Sequence, residues 1–130
     1  MEYGMAVRLD APIEQAEDRV RAALAEQGFG VLTEIDVQAT LREKLGEETQ
    51  PYRILGACNP QLAHRALGVD NRIGLLLPCN VVLRSEGEAT VVEALDPQVM
   101  VSVPDEPKLQ PIADEAGRRL RDALRTLTAG

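Results

Sequence analysis

Two helical stripes set the terms on which this chain can fold. Leu109, Ile112, Ala113, Ala116, Leu120, Ala123, Leu124 and Leu127 recur at three- and four-residue intervals, which places them on one face of a long helix. Near the other end, Ile13, Ala16, Val20, Ala23 and Leu24 form a second stripe of the same kind. Two amphipathic helices separated by stretches of alternating residues need a shared apolar partner. A largely antiparallel sheet, covered on one face by both helices, supplies it. The expected fold class is α+β, with two long helices on one sheet face and short helices inserted between strands.

The chain has 130 residues and is 45% hydrophobic, enough for a single domain over 1–130 with one core. Aromatic residues make up only 2%, so that core must be built from Leu, Val, Ile and Ala. The same scarcity leaves little for stacking on bases, and a formal net charge of −7 repels phosphate backbones. Nucleic acid is therefore not an expected partner. The arginines Arg118, Arg119, Arg121 and Arg125 are interleaved with Asp114, Glu115 and Asp122, the pattern of a solvated helix face. No apolar run approaches the ~20 residues of a membrane span, and the N-terminus lacks the basic-then-apolar order of a signal peptide. Two cysteines without an export signal suggest free thiols in a reducing cytoplasm.

Between the helical stripes, residues 3–9 alternate as a half-buried strand does, and Asp10 and Pro12 mark the start of the first helix. Gly28 ends that helix. Phe29, Val31, Thr33 and Ile35 read as a second strand, and Asp36 caps a short helix that Gly46 closes after Leu45. Residues 52–57 read as a strand. Asn59 followed by Pro60 then starts a helix, which Gly68 is expected to stop ahead of a loop over 68–71. The run 73–83 is apolar at both parities and is interrupted by Pro78, where a strand starts, lies at an edge or bulges. A strand apolar on both faces suggests a second covered face, and pairing with another copy is the simplest cover. Residues 85–88 form a hairpin turn, Asp96-Pro97 another turn, and 99–103 read as a further strand.

Two related heptapeptides carry the chain's only cysteines: ILGACNP at 54–60 and LLPCNVV at 76–82. Cys58 immediately precedes a helix N-cap, where the helix dipole and free N–H groups favour thiolate. It also reads as a small residue buried at a tight strand-to-helix junction. Cys79 shares parity with Val81 and Leu83 and is expected to face the core. A metal site is not expected, because two separate cysteines and the single histidine, His64, do not have structural-zinc spacing. Lys44, at a helix C-terminus, is a candidate cation for an anionic ligand near the Asn59 helix start. Asn80 and Asp96 are further polar candidates, although turn formation and capping explain both.

Taken with the flanking helices, EIDV and EKLG, the Cys-Asn-Pro and Pro-Cys-Asn motifs and DPQVM together resemble the domain of unknown function 302 proteins, also called TT1751-like. The resemblance covers roughly residues 29–100. It implies a TBP-like domain with a curved antiparallel sheet on helices, a homodimer, and no known reaction. The motif positions it carries over are Lys44, Gly56, Cys58, Asn59, Pro60, Pro78, Cys79, Asn80, Asp96 and Pro97. Three uses compete. The first is a non-enzymatic homodimeric module for a small ligand or protein partner. The second is thiol-dependent chemistry centred on Cys58, by redox sensing or adduct formation. The third is a cofactor-free enzyme using Lys44 or Asp96. No cofactor is implied by any of them.

Overall fold

A computed structural model describes residues 2–128. Five strands, β1 (Gly4–Leu9), β2 (Gly30–Asp36), β3 (Tyr52–Cys58), β4 (Cys79–Glu86) and β5 (Ala89–Leu95), form one sheet in the order β1-β5-β4-β3-β2. Every pairing is antiparallel. Helices α1 (Ile13–Glu26) and α5 (Gln110–Thr128) cover one face, as their apolar stripes require. Shorter helices α2 (Val37–Leu45), α3 (Pro60–Val69) and α4 (Val99–Ser102) are inserted between strands or follow the last one. The architecture is mixed α+β and open at both sheet edges. No helix among the described residues is long and apolar enough to cross a membrane.

The main core forms where strand parity meets helical periodicity. Leu55 and Ala57 of β3, Val81 and Leu83 of β4, and Val92 and Ala94 of β5 point to the helices and are almost fully buried. Against them pack Ile13, Ala16, Val20, Ala23 and Leu24 of α1 and Leu120, Ala123, Leu124 and Leu127 of α5. A second cluster sits beside this layer, built from Leu62, Ala66, Ile73, Met100, Leu109, Ile112 and Ala116. α5 belongs to both: its first two turns face the second cluster and its last three face the sheet.

Local signals place most of the boundaries. Asp36 caps α2 by accepting a hydrogen bond from the Ala39 N–H at 2.9 Å, and Gly46 ends that helix at φ 68°. Gly28 leaves α1 at φ 83°. Gly87 takes φ 64° at the first central position of the two-residue β4–β5 turn, where Glu86 pairs with Ala89.

Four expectations change. Residues 99–103 are not a strand: hydrogen bonds from Val99, Met100 and Val101 N–H back to Asp96, Pro97 and Gln98 carbonyls wind them into α4 and its flanks. Only Met100 of that helix is buried. Gly68 does not stop α3, which continues to Val69; Asp70 follows and caps a 3-10 turn over Asn71–Leu76 through the Arg72 N–H. The apolar run at 73–83 is therefore part 3-10 turn and part strand. β4 begins after Pro78, and its outward residues Asn80, Val82 and Arg84 are not an apolar row, so the two-faced strand inferred from that run is not present. In β2 a bulge at Leu32 reverses the alternation. Val31 is level with the inward Ala57, whereas Thr33 and Ile35 are level with the outward Gly56 and Ile54 and are exposed.

At the far end of the sheet from Cys58, a carboxylate–guanidinium cluster ties α1 to β2 and β3. Glu17 accepts from Arg21 at 2.9 Å and from Arg53 at 2.8 Å, and Arg21 also reaches Glu34 at 3.0 Å. Burial pushes the Glu17 carboxyl up, but its contacts with Glu34, Arg21 and Arg53 outweigh that and hold it below the ordinary carboxylate value. A lowered folded value means that this stabilisation is complete above the unfolded-state value and is lost as pH falls through the folded one. Replacing Glu17 by Gln is expected to cost about 2 kcal/mol at pH 7, because two charge-assisted hydrogen bonds lose their carboxylate and leave Arg21 with Glu34 and Arg53 with the longer Glu14 contact. Urea unfolding measured from pH 7 to pH 3 is expected to show the difference between wild type and variant shrinking on the acid side.

Candidate functional site

Antiparallel pairing brings the ends of β1, β3, β4 and β5 together. Cys58 ends β3, Cys79 begins β4, Leu95 ends β5 and Gly4 begins β1, so they share one end of the sheet. Five of the six candidate residues, Cys58, Asn59, Cys79, Asn80 and Asp96, fall at this end. Lys44 does not join them. It is exposed near the end of α2, which departs from Asp36, whereas Cys58 pairs with Gly30 at the opposite end of β2. It lines neither the cavity next to the cysteines nor the cleft that contains Asn80.

Two of the five serve the local fold. The Asn59 side chain accepts from the Leu62 N–H at 3.2 Å, which caps α3 ahead of Pro60. Its amide nitrogen packs against Gly28, where a Cβ would lie 3.0 Å away. Asp96 accepts from the Gln98 N–H at 3.0 Å, and its own N–H donates to the Tyr3 carbonyl at 2.8 Å, closing the turn into α4. His64 is exposed on α3, and Leu67, expected on the buried side, is 39% exposed.

The two cysteines occupy unequal environments beside one small cavity. Ala57 pairs with Cys79, so Cys58 is one register step from it. The cavity, of about 20 Å³, is lined by both cysteines and by Phe29, Leu62, Met100 and Ile112 among other apolar groups. Cys79 is buried and Cys58 is half-buried. Burial, and secondarily the nearness of Cys58, pushes the Cys79 thiol up to about 11. Cys79 is thus a packed thiol that stays protonated at neutral pH, and its burial is the core-facing placement its parity predicted.

On the opposite sheet face lies a cleft of about 210 Å³, lined by Tyr3, Tyr52, Asn80, Val82, Arg84 and Glu93 among others. Arg84 donates to Glu93 at 2.9 Å in its floor. Gly4 makes room for that carboxylate, since a Cβ there would collide with it. Tyr3 and Tyr52 supply two of the chain's three aromatic rings. Tyr3, Tyr52, Arg84 and Glu93 were not singled out from sequence. The hairpin held the signal: a two-residue turn at 87–88 fixes Val82 opposite Glu93 and Arg84 opposite Val91, which makes Arg84 and Glu93 diagonal neighbours on one face.

This arrangement defines an open-faced α+β domain whose two cysteine motifs meet at one sheet end. The profile of the family described as "Domain of unknown function DUF302" matches residues 5–127, and the chain belongs to that family. Its fold is similar to the crystal structure of an uncharacterized conserved DUF302 protein from Bacillus stearothermophilus, with TM-score 0.89 and 31% sequence identity over 95% of this chain and 97% of that one. No curated protein matches the sequence.

Gly56 is a point of close approach between the two motifs. A Cβ there would collide with Thr33 Oγ1 and lie 2.9 Å from Pro78 Cγ. Gly56→Ala is expected to destabilise the domain by about 1–3 kcal/mol. Adding Thr33→Ala is expected to recover only part of the loss, since Pro78 stays in place. Thermal melts of the single and double variants check this.

Proposed function

We propose that the protein is a non-enzymatic, homodimeric binding module that works through the sheet face opposite α1 and α5. The carrying observation is the cleft over β1, β3, β4 and β5, which the Arg84–Glu93 pair lines together with Tyr3, Tyr52 and Asn80. Around it, Ile54, Val82 and Leu95 are half-buried, and Ile35 is 49% exposed. The mixture of apolar surface with paired opposite charges is self-complementary: under a two-fold axis, Arg84 of one copy can approach Glu93 of the next. The occupant of this face is therefore a second copy, and a small ligand or partner is held at the seam through Asn80 and the tyrosines. That Asn59 and Asp96 are engaged in capping supports binding over catalysis.

Sedimentation equilibrium across a wide concentration range tests the assembly. The wild type is expected to be a dimer. Ile54→Glu, which puts a charge on this face away from the main core, is expected to weaken it at least ten-fold, about 1.4 kcal/mol, with far-UV circular dichroism unchanged. A monomer at every concentration would remove the dimer from the reading.

A further inference from the structure

The outer cleft belongs to the binding reading above, and the Glu17 cluster is accounted for by its own ion pairs. The two thiols are used by neither. We propose that Cys58 and Cys79 form a two-thiol modification site, in which a peroxide oxidises Cys58 and Cys79 closes an intramolecular disulfide between the end of β3 and the start of β4. The inference is independent of whether the outer face binds anything.

Placement carries it. Ala57 and Cys79 are register partners, and Cys58 is the next residue. Combining the antiparallel interstrand spacing with the rise per residue places the Cys58 and Cys79 Cα atoms about 6 Å apart, inside the range a disulfide spans. Both residues border the same cavity, whose volume of about 20 Å³ admits at most one water. Strict strand alternation would send the Cys58 side chain to the other face, so the bridge requires Cys58 to turn toward Cys79 at the end of β3, where the chain leaves the ladder for α3. Cys58 is the last residue of its strand and Cys79 the first of the next, so both sit where the ladder ends rather than inside it. Neither thiol makes a hydrogen bond among the described residues that would hold it in place. Cys58 is half-buried and reachable by a small oxidant.

The chemistry balances without any further reagent. The Cys58 thiolate sulfur attacks one peroxide oxygen; the O–O bond breaks, and the departing hydroxide takes up a proton and leaves as water. The sulfur is oxidised to a sulfenic acid and the peroxide is reduced. The Cys79 sulfur, having lost its proton, then attacks the Cys58 sulfur. The S–S bond forms, the S–O bond breaks, and hydroxide departs with that proton as a second water.

The two steps differ in pH dependence. Among the described residues no charged side chain lines the cavity: α3 contributes Leu62 and Ala66, α4 contributes Met100, and α5 contributes Ile112 and Ala116. Among the described residues, Cys58 is the one titratable group that lines it with Cys79. With the Cys79 thiol held up to about 11, closure accelerates as pH rises toward that value.

The test uses the intact, fully reduced protein. One equivalent of hydrogen peroxide is added, with or without dimedone, and the products are read by intact mass and peptide mapping. The expected product is a monomer lighter by about two mass units, with both thiols lost and the Cys58 and Cys79 peptides cross-linked. With dimedone, the adduct is expected at Cys58 alone. The closure rate is expected to rise roughly ten-fold per pH unit between pH 7 and 9, in step with the Cys79 thiolate fraction. Two free thiols after oxidation would overturn the proposal. So would Cys58 sulfinic acid or a Cys58–Cys58 cross-link between molecules as the sole product. All of these readouts come from the wild-type chain, so they do not depend on a Cys79 variant folding.

Discussion

The structure depends on one apolar layer, pressed between the inner face of the sheet and the paired helices α1 and α5. Leu55, Ala57, Val81, Leu83, Val92 and Ala94 are nearly inaccessible there, and each fully buried Leu or Val side chain contributes roughly 1.5–3 kcal/mol of transfer free energy. Because the layer covers one face only, the rest of the chain is arranged around what it leaves over. The second cluster sits beside it, and α5 joins the two: Ile112 and Ala116 serve one and Leu120 to Leu127 the other. The unbroken periodicity of that helix makes a single unit of two small cores.

The sequence was readable wherever a local chemical choice decides the backbone. Asp36 and Gly46 bound α2 because a carboxylate can accept an N–H and a glycine can adopt φ 68°. Asn59 and Pro60 open α3 for the same kind of reason. Reading failed where apolar content was high and the deciding contact was distant. Val99, Val101 and Val103 alternate like a strand, yet Asp96 and Pro97 turn the chain and only Met100 finds a buried place. Ile73 to Leu77 are apolar enough for a strand, but the Asp70 cap winds them into a 3-10 turn with Leu75 78% exposed. The bulge at Leu32 has no sequence signal at all: nothing in Val31-Leu32-Thr33 announces that the register shifts there.

The candidate site was legible to the same degree and for related reasons. The two motifs meet because β3 ends where β4 begins, which follows from simple antiparallel order. Lys44 was grouped with them by helix electrostatics and by the family resemblance, neither of which fixes where α2 leaves the sheet. The outer cleft needed the register of the β4–β5 hairpin, and a register assigned from its two-residue turn would have made Arg84 and Glu93 diagonal neighbours on one face. Composition alone could only say that aromatic rings were scarce; the fold places two of the three on one cleft.

The two cysteines show how a fold makes like residues unlike. Cys79 is in phase with Val81 and Leu83, so the rule that buries those side chains also buries its sulfur and disfavours thiolate. Cys58 is one step out of phase with Leu55 and Ala57, and a buried position is not imposed on it by parity. It sits at the last residue before the chain turns into α3, where Asn59 supplies the cap and Gly56 lets Pro78 approach. The same crowding that brings the motifs together therefore leaves one sulfur sealed and the other half-buried beside it. That inequality, rather than the presence of two thiols, would order an oxidation: the accessible sulfur reacts with the oxidant, and the sealed one can only follow.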